Sequence, residues 1–311
     1  MILVTGATGF VGRVLVRQLT ETGQRVRVLL RPSPRSPRLP KGVPVEVAVV
    51  ALNDERGLRA AMRGVDQIYH LASAASQGRG GNLFTTDIEG TRTLAQVAAG
   101  ADISRFIYLS HLGSDRASAF PVHKAKGIAE EHIRKSGVPH TIIRSSVIFG
   151  PEDHFTTNLA RLIRGAPGLL PIPGEGRTLV QPLWVEDLVT CLVWALQNPD
   201  AVNQTYDIGG GEYFTVRQML ETIMGVIRAR RIIVSLPPPY MRALFVTLDA
   251  FTPGFNVPTY LLDYVAVNRT CPVENLPRIF GLMPARFAYR LNYLERKPLV
   301  QRIQEMLRFP R

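Results

Sequence analysis

Apolar runs and amphipathic stretches alternate along the first half of the chain, and this pattern predicts strands and helices in turn. Strands are predicted for the apolar runs at residues 2–4, 25–30, 44–50, 67–73, 105–110 and 140–150. Helices are predicted where apolar residues recur at helical spacing, from Val11 to just before Gly23, at 54–64, at 82–99 and at about 122–136. This alternation indicates an α/β fold with a doubly wound parallel sheet and right-handed crossovers.

The pattern becomes less regular after residue 150. A helix is predicted within 150–167, a strand and an amphipathic helix within 171–199, and a strand followed by a helix within 205–220. The run LPPPY at 236–240 marks a boundary, and the helical pattern after it places on one face Met241, Leu244, Phe245 and Leu248. We therefore divide the chain into a sheet domain at 1–150, a smaller lobe at 151–235 that interleaves with it, and a helical extension at 236–311.

Three evenly spaced glycines, Gly6, Gly9 and Gly12, directly follow the first predicted strand. In a strand, turn and helix unit the first permits the tight turn, the second lets the backbone approach a pyrophosphate, and the third allows the helix to pack closely on the strand. The helix N-terminus then presents NH groups and a partial positive charge to the phosphates. The turn predicts that the chain binds a dinucleotide; an ordinary strand-to-helix turn is the alternative. Together with the pattern along the chain, it predicts a Rossmann sheet with a smaller C-terminal lobe and a helical extension.

The residue after the second predicted strand indicates which dinucleotide is bound. An NAD site usually carries an acidic residue there for the ribose hydroxyls, whereas this chain has Arg31. The following loop adds Arg35, Arg38 and Lys41. This basic segment suits a 2′-phosphate, so NADP(H) is predicted over NAD(H). A solvated loop that touches nothing is the alternative.

The net charge of +12, from 37 Lys and Arg against 25 Asp and Glu, implies anionic ligands or partners. Nucleic acid is disfavoured, because no basic recognition helix or aromatic RNA-binding signature is present. Cys191 and Cys271 show neither CxxC nor metal-ligand spacing, so both are expected to be packing thiols and no metal site is predicted. The pattern leaves the oligomeric state open.

The C-terminal residues combine an apolar stripe with a basic rim. Apolar residues at helical spacing between 299 and 307 are flanked by Arg296, Lys297, Arg302 and Arg308. Such a helix fits an anionic membrane surface or a protein partner, and packing on its own domain is the alternative. Because residues 2–4 already form a strand and no apolar run reaches the roughly 18 residues of a membrane span, we expect a cytoplasmic protein without signal peptide, at most peripheral to a membrane.

Several motifs occur in the order seen in one superfamily. They are TGATGFVG at 5–12, FIYLS at 106–110, HKAKGIAEEHIRKSG at 123–137, QPLWVEDLV at 181–189 and YDIGGGEYFT at 206–215. The chain resembles extended and atypical short-chain dehydrogenases/reductases, the NAD-dependent epimerase/dehydratase-like proteins. Within them it is most similar to the branch that contains an accessory subunit of respiratory complex I.

The resemblance implies roles for individual residues. Cofactor contacts are implied for Gly6, Thr8, Gly9, Phe10, Val11 and Gly12 in the turn, and for Leu71 and Ala72 after the fourth strand. Ser110 stands where relatives often carry a catalytic serine, and Lys126 matches the lysine of their YxxxK motif, which holds the cofactor ribose. The alternatives are a structural hydroxyl for Ser110 and an ordinary helix-surface lysine for Lys126.

The tyrosine of that motif is missing, because Val122 occupies its position four residues before Lys126. In relatives the phenol transfers the proton at the carbinol oxygen, and a valine cannot do so. Substitute proton donors nearby are His111, Asp115 and His123, each expected to be structural or solvent-facing. His70, within a strand, is expected to be a core histidine.

Three functions remain compatible with these features. The first is an accessory or assembly protein of a membrane-associated complex that binds NADP(H) as a structural ligand. The second is an NADP(H)-dependent oxidoreductase or epimerase with a displaced proton donor. The third is a sensor that reports the NADP(H) redox state to a partner. Whether the chain is an enzyme is left open, since a fold does not determine a function.

Overall fold

The alternating apolar runs form strands close to the predicted positions. The computed structural model describes residues 1–33, 39, 42–75, 81–251 and 265–295. In chain order its strands are β1 (Ile2–Thr5), β2 (Val26–Leu30), β3 (Glu46–Val49), β4 (Gln67–His70), β5 (Arg105–His111), β6 (His140–Ser145), β7 (Ile148–Phe149), β8 (Leu169–Pro173), β9 (Leu179–Val180), β10 (Leu183–Trp184), β11 (Gln204–Ile208), β12 (Phe214–Thr215) and β13 (Ile232–Leu236). The loop residues Arg35, Arg38 and Lys41 and the C-terminal stripe at 296–308 lie outside the described residues.

Helices connect most of these strands, again near the predicted positions. In chain order they are α1 (Phe10–Glu21), α2 (Glu55–Ala61), α3 (Gly90–Ala99), α4 (Pro121–Ser136), α5 (Thr156–Gly165), α6 (Val185–Gln197), α7 (Val216–Val226), α8 (Pro238–Phe251) and α9 (Asn275–Phe280). The helix predicted from residue 82 begins with a wider, π-helical turn at Phe84–Glu89 before it continues as α3. The LPPPY run at 236–240 covers the end of β13 and the start of α8, with Pro237 between them.

The main sheet of the described chain has seven parallel strands in the order β11–β6–β5–β4–β1–β2–β3. One face packs on α1 and α6 through residues such as Leu15 and Leu192. The other face packs on α2, α3 and α4 through residues such as Leu58 and Leu94. Helices on both faces of a parallel sheet make the doubly wound Rossmann fold that the sequence predicts.

Strand β1 lies at the point where the strand order reverses. It pairs with β2 on one side and with β4 on the other, so that Thr5 is opposite both Leu29 and His70. In open α/β sheets ligands bind outside the carboxyl ends of the strands at such a switch point. The glycine turn, which begins at Gly6, therefore occupies the expected position for a ligand.

The prediction of one strand over 140–150 is wrong. Strand β6 ends at Ser145, and β7 pairs with β10 instead of continuing the main sheet. The chain changes hydrogen-bond partners at this point, since Ser146 donates to Ile208 while Val147 accepts from Leu183. The polar residues Arg144, Ser145 and Ser146 lie in the middle of the predicted strand, at the point where β6 ends.

A second core lies beyond β7, and we call the part of the chain that packs around it the second lobe. Phe149 packs edge-on against Trp184 and Phe287, with ring centroids 5.3 and 4.9 Å apart. Strands β8 and β13 form a separate two-stranded parallel sheet against this core. Strand β11 comes from the region 151–235 but pairs with β6 in the main sheet. The division of the chain into three parts stays a prediction.

Candidate functional site

The turn between β1 and α1 is too tight for side chains at two of its glycines. Gly6 has a left-handed φ of +72°, and a Cβ there would lie 2.7 Å from the Ala72 backbone nitrogen. A Cβ on Gly12 would lie 2.2 Å from the carbonyl oxygen of Gly6. These contacts require glycine at both positions, and they bring the start of α1 against the end of β1.

The N-terminus of α1 opens onto this turn. Gly9 is the N-cap and has no side chain to satisfy the first NH groups of the helix. Arg13 supports the turn from one side, because its guanidinium donates to the Thr8 carbonyl oxygen at 3.1 Å and pairs with Glu152 at 2.7 Å. The Phe10 ring approaches Gly150, where the chain enters the second lobe.

The carboxyl end of β4 forms the opposite side of the turn. The Thr5 hydroxyl lies 2.7 Å from His70 Nδ1 and accepts a hydrogen bond from the Ala72 backbone at 3.3 Å. His70 Nε2 lies 2.8 Å from the Thr91 hydroxyl. His70 is therefore a core histidine, as expected: it is buried, and each ring nitrogen has a hydroxyl partner. This chain of hydrogen bonds holds the segment of Leu71 and Ala72 beside the glycine turn.

These residues fit the diphosphate of a dinucleotide. The backbone can approach a ligand at Gly6 and Gly9, and the free NH groups of α1 favour an anion. Arg31 follows β2 directly and is exposed at the same end of the sheet, where a ribose would lie next to the diphosphate. The roles of Thr8, Phe10, Val11, Leu71, Ala72 and Arg31 as cofactor contacts stay predictions.

Ser110 is bonded into the protein interior. Its hydroxyl donates to Glu130 Oε1 at 2.6 Å, and both residues are buried. Arg144 binds the same carboxylate with two hydrogen bonds of 2.9 and 2.6 Å, and Arg134 adds one of 2.9 Å. The Ser110 hydroxyl thus completes a charge-assisted network between α4 and β6. Its catalytic role stays a prediction.

Lys126 also points into the interior. Its Nζ donates to the Leu109 carbonyl oxygen at 3.2 Å and lies 3.4 Å from Asp87 Oδ1. It also sits 4.9 Å from the centre of the Tyr108 ring. Asp87 reaches this point from the π-helical turn, where it also accepts from the Ala74 backbone at 2.8 Å. Lys126 is therefore no ordinary surface lysine, and its contact with a cofactor stays a prediction.

Val122 lies one helical turn before Lys126 and is only 5% exposed. Two of the substitute acids are close by, since the rings of His111 and His123 are 6.1 Å apart. Burial, followed by the positive charge of Lys126, lowers the pKa of His111 well below its usual value. Burial, followed by the charge of Arg269, lowers the pKa of His123 to about 4. Both imidazoles are therefore neutral at pH 7 and poor proton donors.

The third candidate donor, Asp115, is exposed and accepts a hydrogen bond from the Ala117 backbone at 2.7 Å. Beyond the ends of β5 and β6 lies a cavity of about 20 Å³. It is bordered by His111, Ser146, Gln181 and Arg269, among others. A volume of this size holds about one water molecule. The polar groups that converge here therefore enclose little free space.

Two family descriptions match the chain. The NAD(P)H-binding family matches residues 6–162, half of the chain, and the NAD dependent epimerase/dehydratase family matches residues 116–209. The protein is an atypical short-chain dehydrogenase/reductase. It binds a nicotinamide cofactor, and the match begins at Gly6, the first glycine of the turn.

Two relatives show the range of this family. The chain is 31% identical over 252 residues to subunit 9 of the NADH dehydrogenase [ubiquinone] 1 alpha subcomplex of Arabidopsis thaliana mitochondria, covering 79% of this chain and 62% of the relative. The match thus spans less than two thirds of that relative's length. It is 28% identical over 293 residues to the ceramide reductase of Caulobacter vibrioides, covering 91% of each.

The fold is shared with a solved epimerase. The UDP-glucose 4-epimerase of Thermus thermophilus, determined in complex with NAD, superposes with a TM-score of 0.71 at 20% identity. The match covers 94% of this chain and 97% of the epimerase. At this identity the similarity shows the fold alone.

The remaining expectations concern metals, thiols and membranes. Among the described residues no group of His, Cys, Asp or Glu could hold a metal ion, and no helix is long and apolar enough to span a bilayer. Cys191 and Cys271 are buried, and burial raises the pKa of both thiols well above the usual value. Both are therefore packing thiols, as predicted.

Sequence reasoning missed several charged residues of the site. Glu130 had a local signal, because it lies four residues after Lys126 and four before Arg134, a spacing typical of helical ion pairs. Asp87 and Arg269 had none, since their partners lie far away in sequence. Asp87 is 39 positions before Lys126 and is brought to it by the packing of the π-helical turn on α4.

We expect His70 to make folding stability depend on pH. Burial lowers the pKa of His70 from 6.5 to about 3 in the folded protein. Below about pH 6.5 the unfolded chain therefore binds more protons than the folded one. The contribution of His70 is complete above that pH and decreases by about 1.4 kcal/mol per pH unit as the pH falls toward 3. The free energy of unfolding, measured with urea from about pH 7 to about pH 4, should thus fall less steeply with decreasing pH in His70→Gln than in the wild type.

Unfolding of the same variant at about pH 8 is the control, because it isolates the cost of the two lost hydrogen bonds from any titration. If the free energy of unfolding depends on pH equally in the wild type and in His70→Gln, this histidine is not held neutral by the fold.

Proposed function

We propose that this protein is an NADP(H)-binding accessory or assembly component of a membrane-associated redox complex, with weak or no conventional dehydrogenase activity. The observation that carries the proposal concerns the three positions at which relatives carry catalytic groups. In this chain the side chains at all three positions are buried in the protein interior. Val122 replaces the tyrosine, Ser110 donates to Glu130, and Lys126 pairs with Asp87.

A bound nicotinamide cofactor supplies a hydride, and turnover then needs a proton at the substrate oxygen. The buried Val122 side chain cannot carry that proton. His111 and His123 are neutral at pH 7 because burial lowers the pKa of each. The cavity of about 20 Å³ that His111 borders holds about one water molecule. The cofactor turn is complete, so binding without turnover is the function that fits both parts of the site.

The accessory role is supported by the Arabidopsis relative, whose name makes it a subunit of a multisubunit NADH dehydrogenase. A subunit that binds a nucleotide without turning it over gains stability from the ligand by mass action. A cofactor used in this way needs a tight phosphate site and no proton donor. That is the combination of residues found at the glycine turn and at Val122.

A second candidate is an NADP(H)-dependent oxidoreductase or epimerase with a displaced proton donor. Two observations favour it. His111 and His123 approach each other beside Val122, and the ceramide reductase matches 91% of this chain along its length. In this case one imidazole would replace the missing phenol, and the lobes would have to open to admit a substrate.

The test of the accessory role is purification of the tagged chain from its native host in mild detergent. We expect NADP(H) to be released when the purified sample is denatured, and subunits of one membrane redox complex to co-purify in stable proportion, as mass spectrometry would identify them. Recovery of the chain with cofactor but without such subunits contradicts the accessory role and leaves the enzymatic one.

The choice of NADP(H) over NAD(H) is tested at Arg31. Replacing Arg31 by Asp removes a charge-assisted contact to a 2′-phosphate and adds repulsion. The preference for NADP(H) should fall by about 30-fold, or about 2 kcal/mol, in calorimetric titration. Arg278→Asp, at an exposed arginine of α9 next to the far sheet edge, makes the same charge change and should leave the preference unaltered. Equal affinity of the wild type for both cofactors would refute the prediction.

Turnover is tested by restoring the tyrosine. We expect wild-type turnover on alcohols, ketones and nucleotide sugars to be undetectable, because a missing general acid or base costs about 10²- to 10⁴-fold in rate. Val122→Tyr recreates the Tyr and Lys126 spacing on one face of α4 and should raise activity if the pocket can open. Val122→Phe is the matched control, with a ring of the same size and no hydroxyl.

Hydride transfer is followed by nicotinamide absorbance in all of these variants. Strong wild-type turnover that survives the combined replacement of His111, Asp115 and His123 would contradict the proposal, because another group would then carry the proton.

A further inference from the structure

Strands β8 and β13 of the second lobe have one face in the core and one face in the open. Leu170 and Ile172 point into the core, and Ile233 packs against it. The alternate residues point outward: Leu169 is 56% exposed, Ile232 68% and Val234 40%. Leu169 and Ile232 are direct partners in the parallel register, so the three side chains form one continuous patch. We call these three residues the outward face.

An open face of this kind is unusual on a short two-stranded sheet. Exposed strands normally carry charged residues on their solvent side, which prevents association with other apolar surfaces. Here Val234 lies opposite Pro171, so the partner positions on β8 are apolar as well. A contiguous apolar patch marks an interaction site more often than single exposed apolar residues do.

The chain segment that contains β13 is basic. Between Glu221 and Asp249 the chain has four arginines and no acidic residue. Arg228 and Arg230 are exposed immediately before β13. Arg231, in contrast, is bonded within the protein. Its guanidinium donates to the carbonyl oxygens of Ile163 and Arg164 at the end of α5, at 3.0 and 3.3 Å.

An aromatic residue lies just beyond the strand. Tyr240, in the first turn of α8, is 67% exposed. Tyrosine has an apolar ring and a polar tip, a combination that is favoured where hydrocarbon meets water. Apolar side chains, exposed arginines and an exposed tyrosine thus occur together between residues 228 and 240.

We propose that the outward face is a docking surface for an anionic lipid bilayer. The apolar side chains enter the headgroup region, and Arg228 and Arg230 meet the lipid phosphates. An acidic protein surface would be matched by the arginines but not by the apolar patch. A neutral apolar partner would not be matched by the arginines. The bilayer surface satisfies both.

This inference does not depend on the proposed accessory function. It rests on β8, β13 and the arginines before them, whereas the accessory role rests on Val122, Ser110 and Lys126. It is also separate from the stripe predicted at 296–308. Absence of cofactor or of co-purifying subunits would therefore leave it intact, and absence of lipid binding would leave the accessory role intact.

The experiment is flotation of the full-length purified chain with two kinds of vesicle, one of phosphatidylcholine alone and one of phosphatidylcholine mixed with phosphatidylglycerol. We expect the wild type to float with the mixed vesicles only, and less as salt is added, because screening weakens the arginine contacts. The double variant Ile232→Ser, Val234→Ser should bind the mixed vesicles about tenfold more weakly or worse, since two inserted side chains are lost.

A second pair of variants tests the charge without touching the sheet. Arg228→Gln with Arg230→Gln should reduce binding about 30-fold, because two arginine contacts of about 1 kcal/mol each are lost. The matched control is Val47→Ser with Val49→Ser on β3, which are 51% and 60% exposed at the edge of the main sheet and should bind as the wild type does. Thermal unfolding and cofactor titration of each variant check that the fold is intact.

Several flotation results would overturn the proposal. The proposal is wrong if the wild type floats with neither kind of vesicle or floats equally with both. It is also wrong if the two double variants, Ile232→Ser with Val234→Ser and Arg228→Gln with Arg230→Gln, are folded and bind as the wild type does. Binding that is lost only in the Val47→Ser, Val49→Ser control would place the lipid contact on the main sheet instead. Capture of a protein partner through the outward face, without flotation, would also count against the bilayer.

Discussion

The contact between Gly12 and the carbonyl oxygen of Gly6 is the constraint on which the cofactor site depends. No side chain fits between the start of α1 and the end of β1, where a Cβ would lie 2.2 Å from that oxygen. The helix therefore begins directly at the strand end, at the switch point between β2 and β4. This placement leaves the N-terminus of the helix open at the switch point, where we propose that the phosphates of the nicotinamide cofactor bind. Thr5 and His70 hold the neighbouring strand end in register with it.

The other side of the site is organised by buried charge. The Glu130 carboxylate is neutralised by Arg144 and Arg134 and takes the Ser110 hydroxyl as a further donor. Removing one partner of a buried ion pair typically costs about 3–5 kcal/mol, because a charge is left without compensation. These groups therefore brace α4 against β5 and β6. The same network holds the Ser110 hydroxyl toward the interior of this protein.

In the second lobe, the sheet of β8 and β13 has an inner face on the core and an outer face that is exposed. The core includes aromatic rings in edge-on contact, which join β7 to the segment at Phe287. The proposed docking surface lies on the opposite side of β8 and β13 from that core. A protein arranged in this way can hold a nucleotide in one lobe and present the other to a membrane, which fits a component of a membrane-associated complex.

The alternation of strands and helices, the glycine turn and the loss of the tyrosine at Val122 can all be read from the sequence, because each depends on residues that are near neighbours along the chain. Contacts between distant residues instead determine that Ser110 donates to Glu130, that Lys126 pairs with Asp87, and that the segment at 140–150 divides between two sheets. These outcomes depend on which strands and helices become neighbours in space. Local periodicity indicates which face of a strand is buried, but the partner of a buried hydroxyl or charge is set by the long-range register of the sheet.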